Sequence, residues 1–284
     1  MEASPANQAQ IDYWNGPSGT KWTRQQAELD RLLDELGRAA MDRLDPPPGA
    51  RVIDVGCGCG ATTLALAERV GARGRVLGVD VSAPMLERAR ERARSLANVE
   101  LVQADAQTYP FEPGAADALY SRFGVMFFAD PTVAFANLRR GLRPGGALAF
   151  ICWQELTKNP WCLVTLGALA HHVPLPPPPA PGEPGPFSFG DAARVRGILE
   201  GAGWTEIELT AHEQALSLGM TGTLDDAARF SIETGPASRF LVDVAPDVIE
   251  RVRDAVREAL APFEGPDGVR VGGACWIVSA RNPS

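Results

Sequence analysis

Short apolar runs alternate with amphipathic segments through the middle of the chain. Five runs have the length of buried strands: Val52–Val55, Val76–Val79, Val99–Val102, Ala116–Tyr120 and Ala147–Trp153. Three segments between them carry apolar residues at helical spacing: Thr62–Val70, Pro84–Ala97 and Pro131–Gly141. Strands that alternate with helices predict an α/β fold, in which a mostly parallel sheet has helices on both faces.

Further elements are predicted on both sides of this region. One or two helices are expected from about Trp22 to Leu44, and the prolines of Asp45–Gly49 end them. After the fifth strand the alternation breaks, and the predicted helices are Pro160–His171, Ala192–Gly201, Leu224–Ile232 and Pro246–Ala261. Two more strands are predicted, from Thr205 to about Leu216 and over Gly268–Asn282.

This pattern divides the chain into two parts. We expect residues 1–45 to form an N-terminal helical segment and residues 46–284 to form the main domain, with insertions at about 154–192 and 220–266. The first insertion contains the run VPLPPPPAPGEPGP, which fits either a stiff, extended surface loop or a ligand for a proline-binding domain. We favour the surface loop.

Charge and terminal composition exclude several classes of protein. The 284 residues carry a net charge of −8 without a cluster of basic residues, which disfavours binding to nucleic acid. The polar stretch MEASPANQAQ lacks the order of a signal peptide, and no apolar run approaches the ~18 residues that cross a membrane. We therefore predict a cytoplasmic protein without a membrane span.

The five cysteines include a C-x-C pair, Cys57 and Cys59. Such a pair fits either a zinc site or two small side chains in a tight loop. No second pair has metal-ligand spacing, and His171 and His172 are far away in the sequence. We favour the loop and predict no metal.

Three alternating glycines, Gly56, Gly58 and Gly60, follow the first strand in RVIDVGCGCGATTL. Glycine lets backbone N–H groups approach a ligand closely, and the next helix adds the positive end of its dipole. A phosphate-binding Walker loop is excluded because no Lys-Ser/Thr pair follows the last glycine. A dinucleotide fingerprint is satisfied, however, and Asp80 lies where that fold places its ribose-binding carboxylate.

Three features decide between these cofactors. The glycines run G-x-G-x-G with Asp54 two residues before the first, and Asp105 ends the third strand, suitably placed to meet an adenine amino group. No Tyr-x-x-x-Lys pair is present for hydride transfer. An NAD(P)-dependent oxidoreductase is therefore the less favoured interpretation.

Four ordered motifs now carry a family resemblance: VIDVGCGCG, VLGVDVSAPML, ADAQTYPF and AFANLRRGLRPGGALAF. Over roughly residues 50–153 the chain resembles class I S-adenosylmethionine-dependent methyltransferases, and more specifically bacterial enzymes that tailor quinones and polyketides. The resemblance implies a Rossmann-like sheet of seven strands, of which the last, Gly268–Asn282, is antiparallel.

The resemblance also implies where S-adenosylmethionine binds. Its methionine part would cross the glycine turn, its ribose would meet Asp80, and its adenine would lie near Val81, Asp105 and Ala106. Asp54 has two compatible interpretations, since a carboxylate at a strand end also satisfies N–H groups of the loop.

The segment IDYWNGPSGTKW carries aromatic residues ahead of the sheet. It fits either a surface lead-in whose aromatics pack on the core or a lid over the donor, since aromatic faces favour a sulfonium cation and exclude water. We favour the lid, with Tyr13 and Trp14 as the residues that contact the donor.

The segment YSRFGVMFFADP follows the fourth strand, where the family has its active-site loop. It lacks the Asn/Asp-Pro-Pro-Tyr/Phe sequence of methyltransferases that act on base amino groups or protein glutamine, which favours a small-molecule acceptor. Ser121, Arg122 and Phe123 are expected to line the boundary between donor and acceptor. Met126 and Phe127 fit this site and the core equally.

The sequence says least about the acceptor. The two insertions would form its pocket, and Trp153, Trp161, Phe187 and Phe189 fit either an apolar or aromatic ligand or ordinary core packing. His171 and His172 are the candidate catalytic bases, although exposed histidines beside a proline loop are common. A protein that binds S-adenosylmethionine without catalysis is a further alternative.

Overall fold

The computed structural model describes residues 7–180 and 182–284. Within them the chain forms two compact units. The first consists of residues 7–152, 182–211 and 276–284, and the second of residues 153–180 and 212–275. No helix in the described part of the chain is both long and apolar enough to span a membrane.

One mixed sheet contains the strands of the described residues. They are β1 (Arg51–Val55), β2 (Arg75–Asp80), β3 (Val99–Gln103), β4 (Ala116–Arg122), β5 (Leu142–Trp153), β6 (Thr205–Ser217), β7 (Glu264–Gly265) and β8 (Gly268–Arg281). The order across the sheet is β3-β2-β1-β4-β5-β8-β6, and the two-residue β7 pairs with β8. The first five strands are parallel to their neighbours.

Strand β8 runs antiparallel to β5. Asn282 N donates to Gly146 O near the start of β5, and Gln154 N donates to Ala274 O near its end. Residue numbers therefore increase along β5 in the direction in which they decrease along β8. The predicted mostly parallel α/β fold with an antiparallel last strand is therefore confirmed. The two-residue β7 brings the sheet of the described residues to eight strands where seven were expected. Strand β1 has four buried residues in succession, as expected of a strand covered on both faces.

The helices lie between and beside these strands. They are α1 (Gln8–Asn15), α2 (Pro17–Arg24), α3 (Gln26–Leu44), α4 (Ala61–Val70), α5 (Ala83–Ala93), α6 (Pro131–Gly141), α7 (Pro160–Leu169), α8 (Ala192–Gly201), α9 (Leu224–Glu233) and α10 (Pro246–Leu260). Helix α3 buries the leucines that its sequence spacing had placed on one face. On β4, which packs against this helix, the Tyr120 hydroxyl donates a 2.7 Å hydrogen bond to Gly37 O of α3.

Several boundaries differ from the predicted ones. Strand β5 begins at Leu142 rather than Ala147, because the chain pairs with β4 before an irregularity in register between Ala116 and Ala118. Helix α5 ends at Ala93 rather than Ala97. Beyond it, Leu96 N donates a hydrogen bond to Ala93 O in a turn. The described prolines of the proline-rich run, up to residue 180, have no regular secondary structure, as predicted for a loop.

The second unit is organised around one buried amide, that of Asn159. Its Nδ2 donates to the carbonyl oxygens of Gln154, Glu155 and Ala274. Its Oδ1 accepts hydrogen bonds from Ala274 N and from the Trp161 indole. The amide therefore ties the start of α7 to strand β8 within this unit.

Candidate active site

The glycine turn joins β1 to α4. Gly56, Gly58 and Gly60 have φ values of 68°, 54° and 83°, a region that residues with a side chain rarely adopt. A Cβ on Gly56 would lie 2.7 Å from the Cα of Gly124, in the loop after β4. The close approach of the Gly124 backbone therefore requires glycine at position 56, whether or not a ligand is bound.

Asp54 lies at the centre of the site, fully buried on β1. Its Oδ2 accepts hydrogen bonds of 2.8 and 2.6 Å from the hydroxyls of Thr62 and Thr63, in the first turn of α4. Its Oδ1 is also buried and has no hydrogen-bond partner among the described residues. Burial raises the pKa of Asp54 to about 6, although the two threonines and the charge of Arg122 oppose this shift.

Asp80 closes the turn from the end of β2. Its Oδ2 accepts a 2.8 Å hydrogen bond from Gly58 N, and its Oδ1 accepts one of the same length from Ser82 N. Burial raises the pKa of Asp80, against these backbone hydrogen bonds. Each carboxylate oxygen has a second lone pair, so these bonds leave Asp80 able to accept from a ligand hydroxyl.

Asp105 and Ala106 follow β3, and both are buried. Asp105 Oδ1 accepts a 2.9 Å hydrogen bond from Gln107 N, whereas its Oδ2 is buried without a hydrogen-bond partner in the described part of the chain. The carbonyl oxygen of Ala106 accepts from the side-chain amide of Asn137 at 3.0 Å. A buried carboxylate oxygen without a partner is costly, and a donor group on a ligand would remove that cost.

The N-terminal helices contact the residues after β2. The Asn15 side chain donates to Val81 O and accepts from Ala83 N, both at 2.9 Å. The Ser82 hydroxyl donates to Trp14 O at 2.7 Å. These bonds hold the end of α1 beside the strand end that carries Asp80.

An aromatic cluster accompanies this docking. The half-buried Trp14 ring meets Tyr13, Trp22 and Phe127 edge to face, with centroid distances of 5.2, 5.5 and 5.3 Å. Phe127 therefore joins the N-terminal segment to the loop after β4, whereas Tyr13 is 42% exposed. The segment from Ile11 to Trp22 thus lies in two helices of the first unit. Its role as a lid over the methyl donor stays a prediction.

The residues after β4 complete this end of the sheet. The buried Ser121 hydroxyl donates to Val55 O at 2.7 Å and accepts from Gly124 N at 3.3 Å, so it fastens the loop to the glycine turn. Phe123 is buried with φ of 61°, an uncommon conformation outside glycine. Met126 is 2% exposed and belongs to the core.

The candidate bases, His171 and His172, are exposed and follow α7. Both belong to the second unit, whereas the residues predicted to bind the methyl donor belong to the first. Their catalytic role stays a prediction.

Cys57 and Cys59 are buried, unbonded thiols. Burial raises the pKa of Cys57 and raises that of Cys59 to about 11, so both are protonated at neutral pH. Within 7–180 and 182–284, no group of three or more His, Cys, Asp or Glu side chains is arranged to hold a metal ion.

Comparison with known proteins identifies the fold around this turn. Residues 52–146 match a family described as a methyltransferase domain. An aklanonic acid methyltransferase from Streptomyces sp. (strain C5) is 38% identical over 117 residues, which make up 40% of this chain and 53% of that protein. A demethylmenaquinone methyltransferase from Staphylococcus aureus (strain MRSA252) is 42% identical over 98 residues, 34% of this chain and 41% of that protein.

Residues 52–146 therefore form a methyltransferase domain. The whole chain spans between 39% and 53% of the length of the curated relatives it matches. The crystal structure of a geranyl diphosphate C-methyltransferase from Streptomyces coelicolor A3(2), with Mg²⁺, geranyl diphosphate and S-adenosyl-L-homocysteine, has the same fold. Its TM-score is 0.57 at 19% identity, with 99% of this chain and 100% of that chain covered.

Several side chains that build this candidate site were missed in the sequence analysis. Thr62 and Thr63 orient Asp54, and Asn15 and Ser82 fasten the N-terminal helices. The sequence did contain a signal for Thr62 and Thr63, because hydroxyls in the first turn of a helix after a glycine loop can reach the end of the preceding strand. The Asn15 contact spans 66 residues to Val81, and a local pattern does not contain such information.

Proposed function

We propose that this protein transfers a methyl group from S-adenosylmethionine to a small, apolar or aromatic molecule by in-line displacement. The observation that carries the proposal is a glycine turn flanked by three strand-end carboxylates. Two of these, Asp54 and Asp105, each have a buried oxygen that no described residue satisfies. Such oxygens can accept hydrogen bonds from the N–H groups of an adenosyl amino acid.

The residues would hold the donor in three parts. Asp54 and the turn Gly56–Gly60 would bind its methionine portion, and Asp80 would accept from the ribose hydroxyls. Asp105 Oδ2 would accept from the adenine amino group, beside the backbone of Val81 and Ala106. The dipole of α4 adds a positive end behind the turn.

The protein has little covalent chemistry to perform in this reaction. Bound S-adenosylmethionine would supply a methyl group on a sulfonium sulfur, which leaves with the bonding electron pair when a lone pair of the acceptor attacks the methyl carbon. The chain's residues then contribute orientation and exclusion of water. The carbonyl oxygen of Trp14 accepts a hydrogen bond from the Ser82 hydroxyl. In that position the Trp14 ring would cover the methyl donor.

A hydroxyl or amine acceptor must also lose a proton, and a base assists that step. His171 and His172 are the residues we propose for it, whereas a carbon acid that is already ionised needs none. The curated relatives support a small-molecule acceptor, since their names describe methylation of aklanonic acid and demethylmenaquinone. This chain covers 53% and 41% of those two relatives, so the identity of the acceptor stays a prediction. The cytoplasmic location stays a prediction as well.

Calorimetry with S-adenosylhomocysteine and with NAD is the first test. We expect binding of the former alone, and binding of NAD alone would favour the oxidoreductase. A screen of quinol, polyketide and phenol acceptors, followed by release of S-adenosylhomocysteine, then tests catalysis. Donor binding without turnover on any acceptor would favour a non-catalytic binding protein. Exposed His171→Ala and His172→Ala variants test the base through the pH dependence of kcat.

A further inference from the structure

One basic side chain near the glycine turn, that of Arg122, forms no hydrogen bond with any residue that the structure describes. Arg122 ends strand β4, and its side chain is 14% exposed. Its one ion-pair partner in the described part of the chain is Asp30 of α3, at 3.7 Å from Nη2 to Oδ1, which is beyond hydrogen-bonding distance. A guanidinium has five N–H donors, so the mostly buried side chain of Arg122 keeps N–H groups that no described residue accepts.

The carboxylate of Asp30 is already engaged elsewhere. Arg92 of α5 contacts Asp30 Oδ2 at 2.9 Å, and the Gln26 side chain donates to the same oxygen. Arg92 also donates to Cys59 O at 2.8 Å. Asp30 therefore forms its direct contacts with Arg92 and Gln26, and it holds Arg122 at longer range without satisfying it.

Arg122 and Asp54 lie on the same face of the sheet. Asp54 pairs with Tyr120 across β1 and β4, and residues two apart on a strand share a face. The same two β4 side chains, Tyr120 and Arg122, approach Gly37 of α3. A Cβ on Gly37 would lie 2.8 Å from the Arg122 Cδ, so the absence of a side chain there leaves space for the arginine.

Arg122 and Asp54 therefore offer a positively charged hydrogen-bond donor and a negatively charged hydrogen-bond acceptor near the glycine turn. The positive charge of Arg122 opposes the rise in the pKa of Asp54, in agreement with the shared face of the two residues on neighbouring strands. Asp54 Oδ1 has no hydrogen-bond partner in the described residues, and the Arg122 guanidinium has none either. A ligand carrying both an ammonium and a carboxylate would satisfy both.

We propose that Arg122 binds the α-carboxylate of the donor's amino acid while Asp54 Oδ1 accepts from its ammonium. This inference rests on the proposed function, and it assigns a specificity role to an arginine outside the glycine and acid motifs. The planar guanidinium matches a carboxylate bidentately, which a lysine does not reproduce. The pair would select donors with an intact amino acid end over adenosyl compounds that lack it.

The test uses ligands that differ in one group. S-adenosylhomocysteine carries the carboxylate, its decarboxylated amine lacks only that group, and 5′-methylthioadenosine lacks the whole amino acid. Isothermal titration calorimetry would measure all three on wild type, Arg122→Gln and Arg122→Lys. Arg88→Ala serves as a matched control, because this α5 arginine bonds Gln26 and Glu91 instead of lying on the face of Asp54.

We expect Arg122→Gln to weaken S-adenosylhomocysteine binding by about 10- to 100-fold, the usual range for a hydrogen bond to a charged group. Binding of the decarboxylated amine and of methylthioadenosine should change by less than about 3-fold, within the effect of neutral contacts. Arg122→Lys should give an intermediate loss. Arg88→Ala should leave all three affinities unchanged.

Equal losses for all three ligands would overturn the proposal, because they would assign Arg122 a structural role. No loss for any ligand would overturn it as well. If Arg122→Gln does not fold, by circular dichroism and thermal unfolding, wild type alone decides: equal affinity for S-adenosylhomocysteine and its decarboxylated amine contradicts a carboxylate contact. If wild type binds none of the three, the proposed function itself fails.

Discussion

The Ser82 hydroxyl donates a 2.7 Å hydrogen bond to the carbonyl oxygen of Trp14, a residue 68 positions earlier in the chain. Ser82 lies two residues after Asp80, and Asp80 accepts from Ser82 N. One serine therefore connects the N-terminal helices to the carboxylate that we assign to the ribose. This contact gives the N-terminal segment a defined position at the donor site.

The first prediction concerns the Trp14 ring. We expect Trp14→Ala to weaken S-adenosylmethionine binding by about 10-fold, since an aromatic face near a cation contributes ~1–2 kcal/mol when desolvated. The backbone bond from Ser82 survives this substitution, so the loss reports on the ring. Tyr13→Ala is the matched control, and we expect a smaller effect because that ring is 42% exposed. Unchanged affinity in Trp14→Ala, by calorimetry, would contradict the lid.

The second prediction concerns Gly19, buried in α2. A Cβ at this position would lie 1.9 Å from Trp14 O and 2.8 Å from the Ser82 hydroxyl, so Gly19→Ala must displace α2 or α1. We expect a loss of about 1–3 kcal/mol in the free energy of unfolding, typical of overpacking. Urea unfolding measures this loss, and titration with S-adenosylhomocysteine measures the accompanying loss of affinity.

Gly167 provides the control for that substitution. It lies exposed in α7, and no atom lies within 4 Å of a Cβ built there. Gly167→Ala should stabilise the protein by about 0.5–1 kcal/mol through helix propensity, without changing donor binding. If both alanines have the same effect on donor affinity, the contact between Gly19 and Trp14 has no role in binding.

The central fold could be predicted because its signals are local. Each buried parallel strand is a continuous apolar run, and β1 with Asp54 at its end was readable in this way. The glycines at 56, 58 and 60 required positive φ, and a repeated glycine pattern after a strand indicates that turn directly. The antiparallel β8 followed from the family resemblance rather than from periodicity.

Other features depend on contacts between residues far apart in the chain, and local sequence patterns did not predict them. Helix α1 contains aromatic and polar residues without a clear apolar face, and it is held by Asn15 and Trp14 against the segment after β2. Strand β5 starts at Leu142 because β4 offers a partner at Ala116, despite the prolines and glycines that local rules read as a turn. The isolation of Arg122 from hydrogen-bond partners is visible only once Arg92 and Asp30 are in place.

The third prediction concerns the second unit. Asn159→Ala removes an acceptor for Ala274 N and the Trp161 indole, together with the donor to three carbonyl oxygens. We expect a loss of about 3 kcal/mol in the free energy of unfolding, because buried polar groups are left unsatisfied. Trp161→Phe removes a single indole donor and should cost about 1 kcal/mol. Equal losses in urea unfolding would show that Asn159 is not the organising group.

The fourth prediction follows from Asp54 and the pH. Its pKa is raised to about 6, above the value of 3.8 expected for the unfolded chain, so the folded state binds the proton more tightly. Protonation therefore favours folding. The stabilisation is complete below about pH 3.8 and is lost as the pH rises through about 6, a shift equivalent to ~3 kcal/mol.

Asp54→Asn tests this sign. Asparagine carries no charge to desolvate, and its oxygen can still accept from Thr62 and Thr63. We expect the variant to exceed wild type in free energy of unfolding by about 1–3 kcal/mol at pH 7, with the difference shrinking as the pH falls from 7 to 5. Asp247→Asn is the control of opposite sign, because the hydrogen bond from Arg251 lowers the pKa of Asp247. A difference for Asp54→Asn that stays constant between pH 5 and 8 would show that Asp54 does not titrate with folding.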